Sequence, residues 1–139
     1  MEFKKIKNKY LIRLDKDEKI IGTLLNFLKN NKIKAGFFLG LGAIHEVELA
    51  HYALENKKYS SKSLKGAFEI VSLLGNSCIF DGKEYIHAHI IVGDSEMKTY
   101  GGHLKEAVVG PTCEIIFEEI DGEIGREYSE EIGLNLFKF

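Results

Sequence analysis

The sequence predicts an α+β fold: one compact domain over residues 1–139, built on a largely antiparallel β-sheet with one main amphipathic helix. Three observations predict it. Only one segment repeats apolar residues at helical spacing, at Ile20, Ile21, Leu24, Leu25 and Leu28. The other apolar stretches read as strands joined by tight turns. With 139 residues, 45% of them hydrophobic, and a single proline, the chain holds one core and leaves little for a second.

In chain order, "KYLIRLDKDEKI" opens with a short apolar run, Tyr10 to Leu14, that suits a strand. It turns polar at Asp15 and Asp17, either of which can cap a helix. The helix follows from about Glu18 to Asn30, and the Asn-Asn pair ends it. "AGFFLGLGAI" is apolar and glycine-rich, with Gly36, Gly40 and Gly42 as sites of bulges or close backbone approach. "HEVELAHYAL" sets Val47 and Leu49 against Glu46 and Glu48 in strand alternation. "FEIVSLLGNSCIF" is a further strand, and Asp81-Gly82 is a hairpin signal leading to "YIHAHIIVGD". "TYGGHL" reads as a loop feeding the strand "AVVGPTCEIIFEEI", after which Asp121-Gly122 predicts a second tight turn. The tail "LNLFKF" alternates and supplies a last strand.

Composition excludes several classes of function. No apolar run approaches the roughly 18 residues that span a bilayer, and "MEFKKIKNKY" lacks the apolar stretch of a secretory signal, so a soluble cytoplasmic protein is expected. Cys78 and Cys113 form no C-x-x-C arrangement and are expected as buried free thiols. Serine-hydrolase, P-loop and dinucleotide fingerprints are absent. The net charge of −2 is unevenly spread: residues 1–66 hold 14 Lys and Arg against 7 Asp and Glu, and residues 67–139 hold 5 against 14. Attraction between the halves is therefore expected, within the fold or across subunits. The lysine clusters can touch phosphates but lack the arginines that dominate base reading.

The histidines carry the chemistry. On a strand, His87 and His89 share one face while Ile86, Ala88, Ile90 and Val92 line the other, and the two imidazoles stand roughly 6.5 Å apart along the backbone. His103, beside paired glycines that permit close backbone approach, can complete a set of three. Three neutral imidazoles leave a fourth coordination position open, as in catalytic zinc sites, and a metal there lowers the pKa of bound water or polarises a carbonyl. The competing reading makes them surface histidines on the wet face of a sheet. His45 and His51 have no close histidine partner in sequence and are expected to lie outside the set. Glu69 interrupts an apolar strand, so it either faces solvent or is held inward as a general acid or base. Arg13, one of only two arginines, either binds an anionic ligand group or pairs with an acidic neighbour.

"FEIVSLLGN", "HAHIIVGD" and "YGGHL", in this order and spacing, resemble the plants-and-prokaryotes-conserved (PPC) domain family, often described as predicted DNA-binding proteins. The resemblance covers nearly the whole chain. It implies a PPC-like α+β subunit in a homotrimer, and zinc at the positions matching His87, His89 and His103. It also implies an architecture similar to acetolactate decarboxylase and a zinc-dependent esterase. Plant relatives contact DNA through a separate Arg-Gly-Arg-Pro segment, and no such segment occurs here, where the only proline is Pro111. The resemblance thus implies a trimeric, DNA-associated or protein-binding domain. The alternative is a zinc-dependent hydrolase or lyase acting on a small carbonyl or ester compound.

Overall fold

Four long strands pair in a closed ring. In the computed structural model, which describes residues 1–139, β3 (Gly36–Ala53) pairs with both β4 (Lys58–Phe80) and β6 (Thr99–Glu119), while β5 (Lys83–Gly93) bridges β4 and β6. All four pairings are antiparallel. A hairpin of β1 (Glu2–Ile6) and β2 (Lys9–Asp15) extends the sheet beside β6, and a second hairpin, β7 (Gly125–Ser129) with β8 (Leu134–Lys138), adjoins β4 through one parallel bridge at Ile79 and Gly125.

The single helix α1 (Ile20–Asn31) buries Ile20, Leu24, Phe27 and Leu28 against the sheet. Its start differs from expectation. Neither Asp15 nor Asp17 caps it; the first residue outside is Lys19, which has no side-chain cap. Glu106 of β6 instead accepts hydrogen bonds from the backbone N–H groups of Ile21 and Gly22, at 2.8 and 3.2 Å. A carboxylate suits the positive end of the helix dipole, and this one arrives from a residue 85 positions away, beyond the reach of local pattern.

The two apolar pieces predicted for residues 35–54 form one bent strand. Register breaks fall between Gly40 and Gly42 and between Ile44 and Glu46. Gly42 takes a φ of 141°, and a Cβ there would strike the Thr112 carbonyl, so glycine is required at that bend. Asp81 and Gly82, with φ of 49° and 72°, close the β4–β5 hairpin as predicted. Asp121-Gly122 makes only a bend, because β7 leaves β6 and pairs with β8 instead of folding back. Two strands were hidden from pattern: β1, exposed throughout, and the Lys58–Gly66 part of β4, where polar side chains cover an exposed arm. Both cysteines are buried and free.

The charge asymmetry resolves within the fold. Lys5–Glu119, Lys9–Glu118 and Lys34–Glu123 join lysines of the basic half to glutamates of the acidic half, at 2.8–3.3 Å.

Candidate metal centre

"TYGGHL" is strand, not loop. It forms the start of β6, and the register places His103 directly opposite His89. The reason is local: with no Cβ, Gly101 and Gly102 allow β6 to run close to Ile90 of β5 and Ala50 of β3. His87 stands two residues from His89 on β5, so antiparallel pairing converges three imidazoles on one point. Their ring centroids lie 5.2–5.7 Å apart, and one ligand nitrogen from each falls within 4.8 Å of the others.

The surroundings of His87 and His103 favour the neutral ring. Burial lowers His87 to about 4, helped by repulsion from His103, His89 and Arg126. His103 is lowered for the same first reason, with His89 and Lys105 adding to it. A neutral imidazole offers a lone pair, the form a metal requires. Nδ1 of His103 is buried without a hydrogen-bond partner, an arrangement that costs stability unless something binds there. These residues fit a metal ion. The donor set is three nitrogens with no carboxylate, which matches zinc with an open position.

Aromatic rings and an arginine wall the site. The Tyr59 ring lies tilted beside His103 at a centroid distance of 5.2 Å, and Tyr52 lies 4.9 Å beyond it. A pocket of about 370 Å³ opens on His87 and His89 between Phe37, Leu74 and Asn76. Asn76 is the cross-strand neighbour of His87, and its Oδ1 accepts from Arg126 at 2.8 Å.

The other predicted residues are not brought to this point. Glu69 is exposed on β4 opposite Gly93, four residues along β5 from His89. Arg13 is exposed, pairs with Glu2 and Asp15, both at 3.1 Å, and lines a groove with Leu11, Leu39 and Leu41 away from the histidines. His45 pairs with Asp17 at 3.0 Å, and His51 faces a different groove, with Ser60 and Lys62. Arg126 and Asn76, which do flank the histidines, had no sequence signal: a lone arginine on a short tail strand and an asparagine inside an apolar strand reveal their meeting only through the fold.

The register also exposes a row across the bare face of the sheet. Leu11 faces Ile116, Ile116 faces Leu39, Leu39 faces Leu74, Leu74 faces His89, and His89 faces His103. Leu39 is 44% exposed and Leu74 57%. The three-histidine cluster thus lies at the end of an uncovered apolar stripe.

The profile of the Plants and Prokaryotes Conserved (PCC) domain, an alternative abbreviation of PPC, matches residues 1–121. The chain belongs to this family. Residues 122–139, including the β7–β8 hairpin, lie beyond the match. The chain is similar to a candidate DNA-binding protein from Bacteroides thetaiotaomicron, with 33% identity, a TM-score of 0.97, and coverage of 99% of this chain and 96% of that one. It is also similar to a metal-containing protein from Archaeoglobus fulgidus, with 32% identity, a TM-score of 0.90, and coverage of 99% and 97%. α-Acetolactate decarboxylase from Bacillus subtilis shares the fold alone, at 9% identity and a TM-score of 0.55 over 88% of this chain and 57% of that one. No curated protein matches the sequence. No helix is long and apolar enough to cross a membrane.

Proposed function

We propose that this PPC chain works as a cytoplasmic homotrimer that holds one zinc ion per subunit at His87, His89 and His103 and binds partners through that assembly. The observation that carries the reading is the convergence of three imidazoles, two of them held below the ordinary histidine pKa, with an orphaned ring nitrogen among them. The metal-containing relative supports it. The trimer draws support from the family resemblance and from the apolar stripe, since an exposed stripe of this kind on a small sheet is normally covered. A neighbouring copy on that stripe would supply the outer wall of the histidine pocket.

The decisive experiment is elemental analysis of the untagged protein together with its mass in solution. One zinc per subunit on a trimer is expected, and His89→Ala should lose the ion while keeping the fold. A metal-free protein that resists zinc loading overturns the reading.

DNA association comes to this chain from relatives described as candidate DNA-binding proteins. Lys5 and Lys9 of the N-terminal lysine cluster are already paired with Glu119 and Glu118, so direct binding is expected to be weak and steeply salt-dependent. A mobility shift with duplex DNA across a salt series tests it; no shift at low salt restricts the role to partner binding.

A second reading is favoured by the pocket beside the open coordination position: a zinc-dependent hydrolase or lyase acting on a small carbonyl or ester compound. Zinc bound there supplies Lewis acidity. Glu69 serves as its proton-handling carboxylate only if assembly brings it to a neighbour's histidines. Turnover of small esters that vanishes on chelation and returns with zinc would establish this reading.

A further inference from the structure

The two arginines of this chain are used in opposite ways. Arg13 is neutralised by two carboxylates. Arg126 meets none. Its Nε donates to the Cys78 thiol at 3.1 Å, one terminal nitrogen to the Asn135 carbonyl at 2.7 Å, and the other to Oδ1 of Asn76 at 2.8 Å. The guanidinium lies 4.3 Å from the Phe137 ring and 5.1 Å from the Tyr85 ring. Aromatic faces and neutral acceptors thus fix this guanidinium in place, with no carboxylate to draw it away from Asn76.

Its grip on Asn76 has a directional consequence. An amide whose oxygen is committed to a guanidinium must present its NH2 elsewhere. Asn76 lines the pocket that opens on His87 and His89, and its Nδ2 donates to no group of the chain. The pocket therefore combines a metal-binding set, a fixed hydrogen-bond donor, and the apolar side chains of Phe37 and Leu74.

We propose that this pocket binds a small monocarboxylate, one oxygen at the metal and the other accepting from Nδ2 of Asn76, with Arg126 as the positioning residue that holds the amide. The inference rests on the zinc reading above and deepens it. It also gives a role to the β7–β8 hairpin, which lies beyond the family match and delivers Arg126.

The test uses the full chain loaded with cobalt, titrated with acetate and followed by visible absorption, with cobalt stoichiometry measured for every variant. Wild type should show a saturable spectral change. Asn76→Leu, which removes the donor at similar volume, should weaken acetate by about tenfold or more with cobalt still bound. Arg126→Met should weaken it similarly, and the double variant should be no weaker than Asn76→Leu alone, because Arg126 acts through Asn76. A purely structural arginine would lower the melting temperature without this coupling. Asn76→Ala serves if the leucine variant misfolds. Cobalt-bound protein whose acetate affinity ignores Asn76, or whose two substitutions multiply, overturns this proposal and leaves the metal centre standing. Failure of wild type to bind cobalt overturns both.

Discussion

The two faces of the sheet are built from the same strands and do different work. On one, Tyr10, Ile12, Phe38, Ile115 and Phe117 are buried beneath α1. On the other, one residue out of step, Leu11, Leu39, Leu41 and Ile116 line an open groove of about 490 Å³ and lead to the histidines. Antiparallel sheets usually alternate apolar with polar so that one face meets water. Here the second face carries, between the charged side chains of Lys9, Arg13, Glu114 and Glu118, an apolar stripe that the chain's own core does not cover. The difference teaches that folding and function are separable here: substitutions on the first face should unfold the chain, and those on the second should change what it binds.

The largest expected effect belongs to the core face. Phe117 is 1% exposed and packs against Phe27, Phe38 and Tyr10 at centroid distances of 5.9–6.3 Å. Phe117→Ala should cost about 3–5 kcal/mol in urea denaturation, a large share of a domain's stability. A loss below about 1 kcal/mol would mean that this face is not the folding core.

Next comes the bare face. Leu39→Lys should leave the stability of the isolated subunit within about 0.5 kcal/mol, as surface substitutions do, yet lower the mass in solution to that of a monomer if the proposed trimer packs on this stripe. Sedimentation equilibrium reads the outcome directly. An unchanged trimer would show that the stripe is covered by some other means.

The site's existence was legible in the sequence, and its construction only in part. The H-x-H alternation fixes two imidazoles on one side of a strand, and that reading needs nothing but the two-residue period of the pleat. His103 was recognisable as a partner, but its segment reads as a loop because "TYGGHL" carries glycines where a strand normally carries bulk. Here they permit the close approach that seats β6 against β5. The bare apolar stripe was hidden for a different reason. "AGFFLGLGAI" is apolar at successive positions, and no local pattern distinguishes burial in a subunit's own core from exposure awaiting another chain. Arg126 and Glu106 act across 50 and 85 positions respectively, distances at which only tertiary structure decides.

A smaller effect tests the link between the core face and the sequence that shapes it. Glu106→Gln removes the charge that faces the helix dipole and, because its NH2 is a donor where the second carboxylate oxygen accepted, also gives up one of the hydrogen bonds from Ile21 and Gly22. It should cost roughly 1 kcal/mol in thermal or urea unfolding. Metal content should not change, because the helix lies on the opposite side of the sheet from the histidines. Loss of zinc in this variant would join the two faces that the comparison separates.

The smallest expected effect concerns the turn that joins β5 to β6 and so holds His103 opposite His89. Asp94 accepts from the backbone N–H of Glu96 and Lys98 at 2.9 and 3.0 Å and from the Tyr100 hydroxyl at 3.1 Å. Partial desolvation works to raise its pKa, but the hydrogen bonds from Lys98, Glu96 and Tyr100 outweigh it and hold the carboxyl below its ordinary value. A depressed carboxylate stabilises the folded state above its unfolded pKa, and that contribution disappears as pH falls through the folded one. Between about pH 4 and the lower folded value, wild type should therefore lose stability more steeply than Asp94→Asn, whose side chain does not titrate. Above that window the two curves should run parallel, with the variant lower. Parallel curves throughout would mean that the turn is held by backbone geometry alone, with the carboxylate contributing nothing to the pairing that brings the three histidines together.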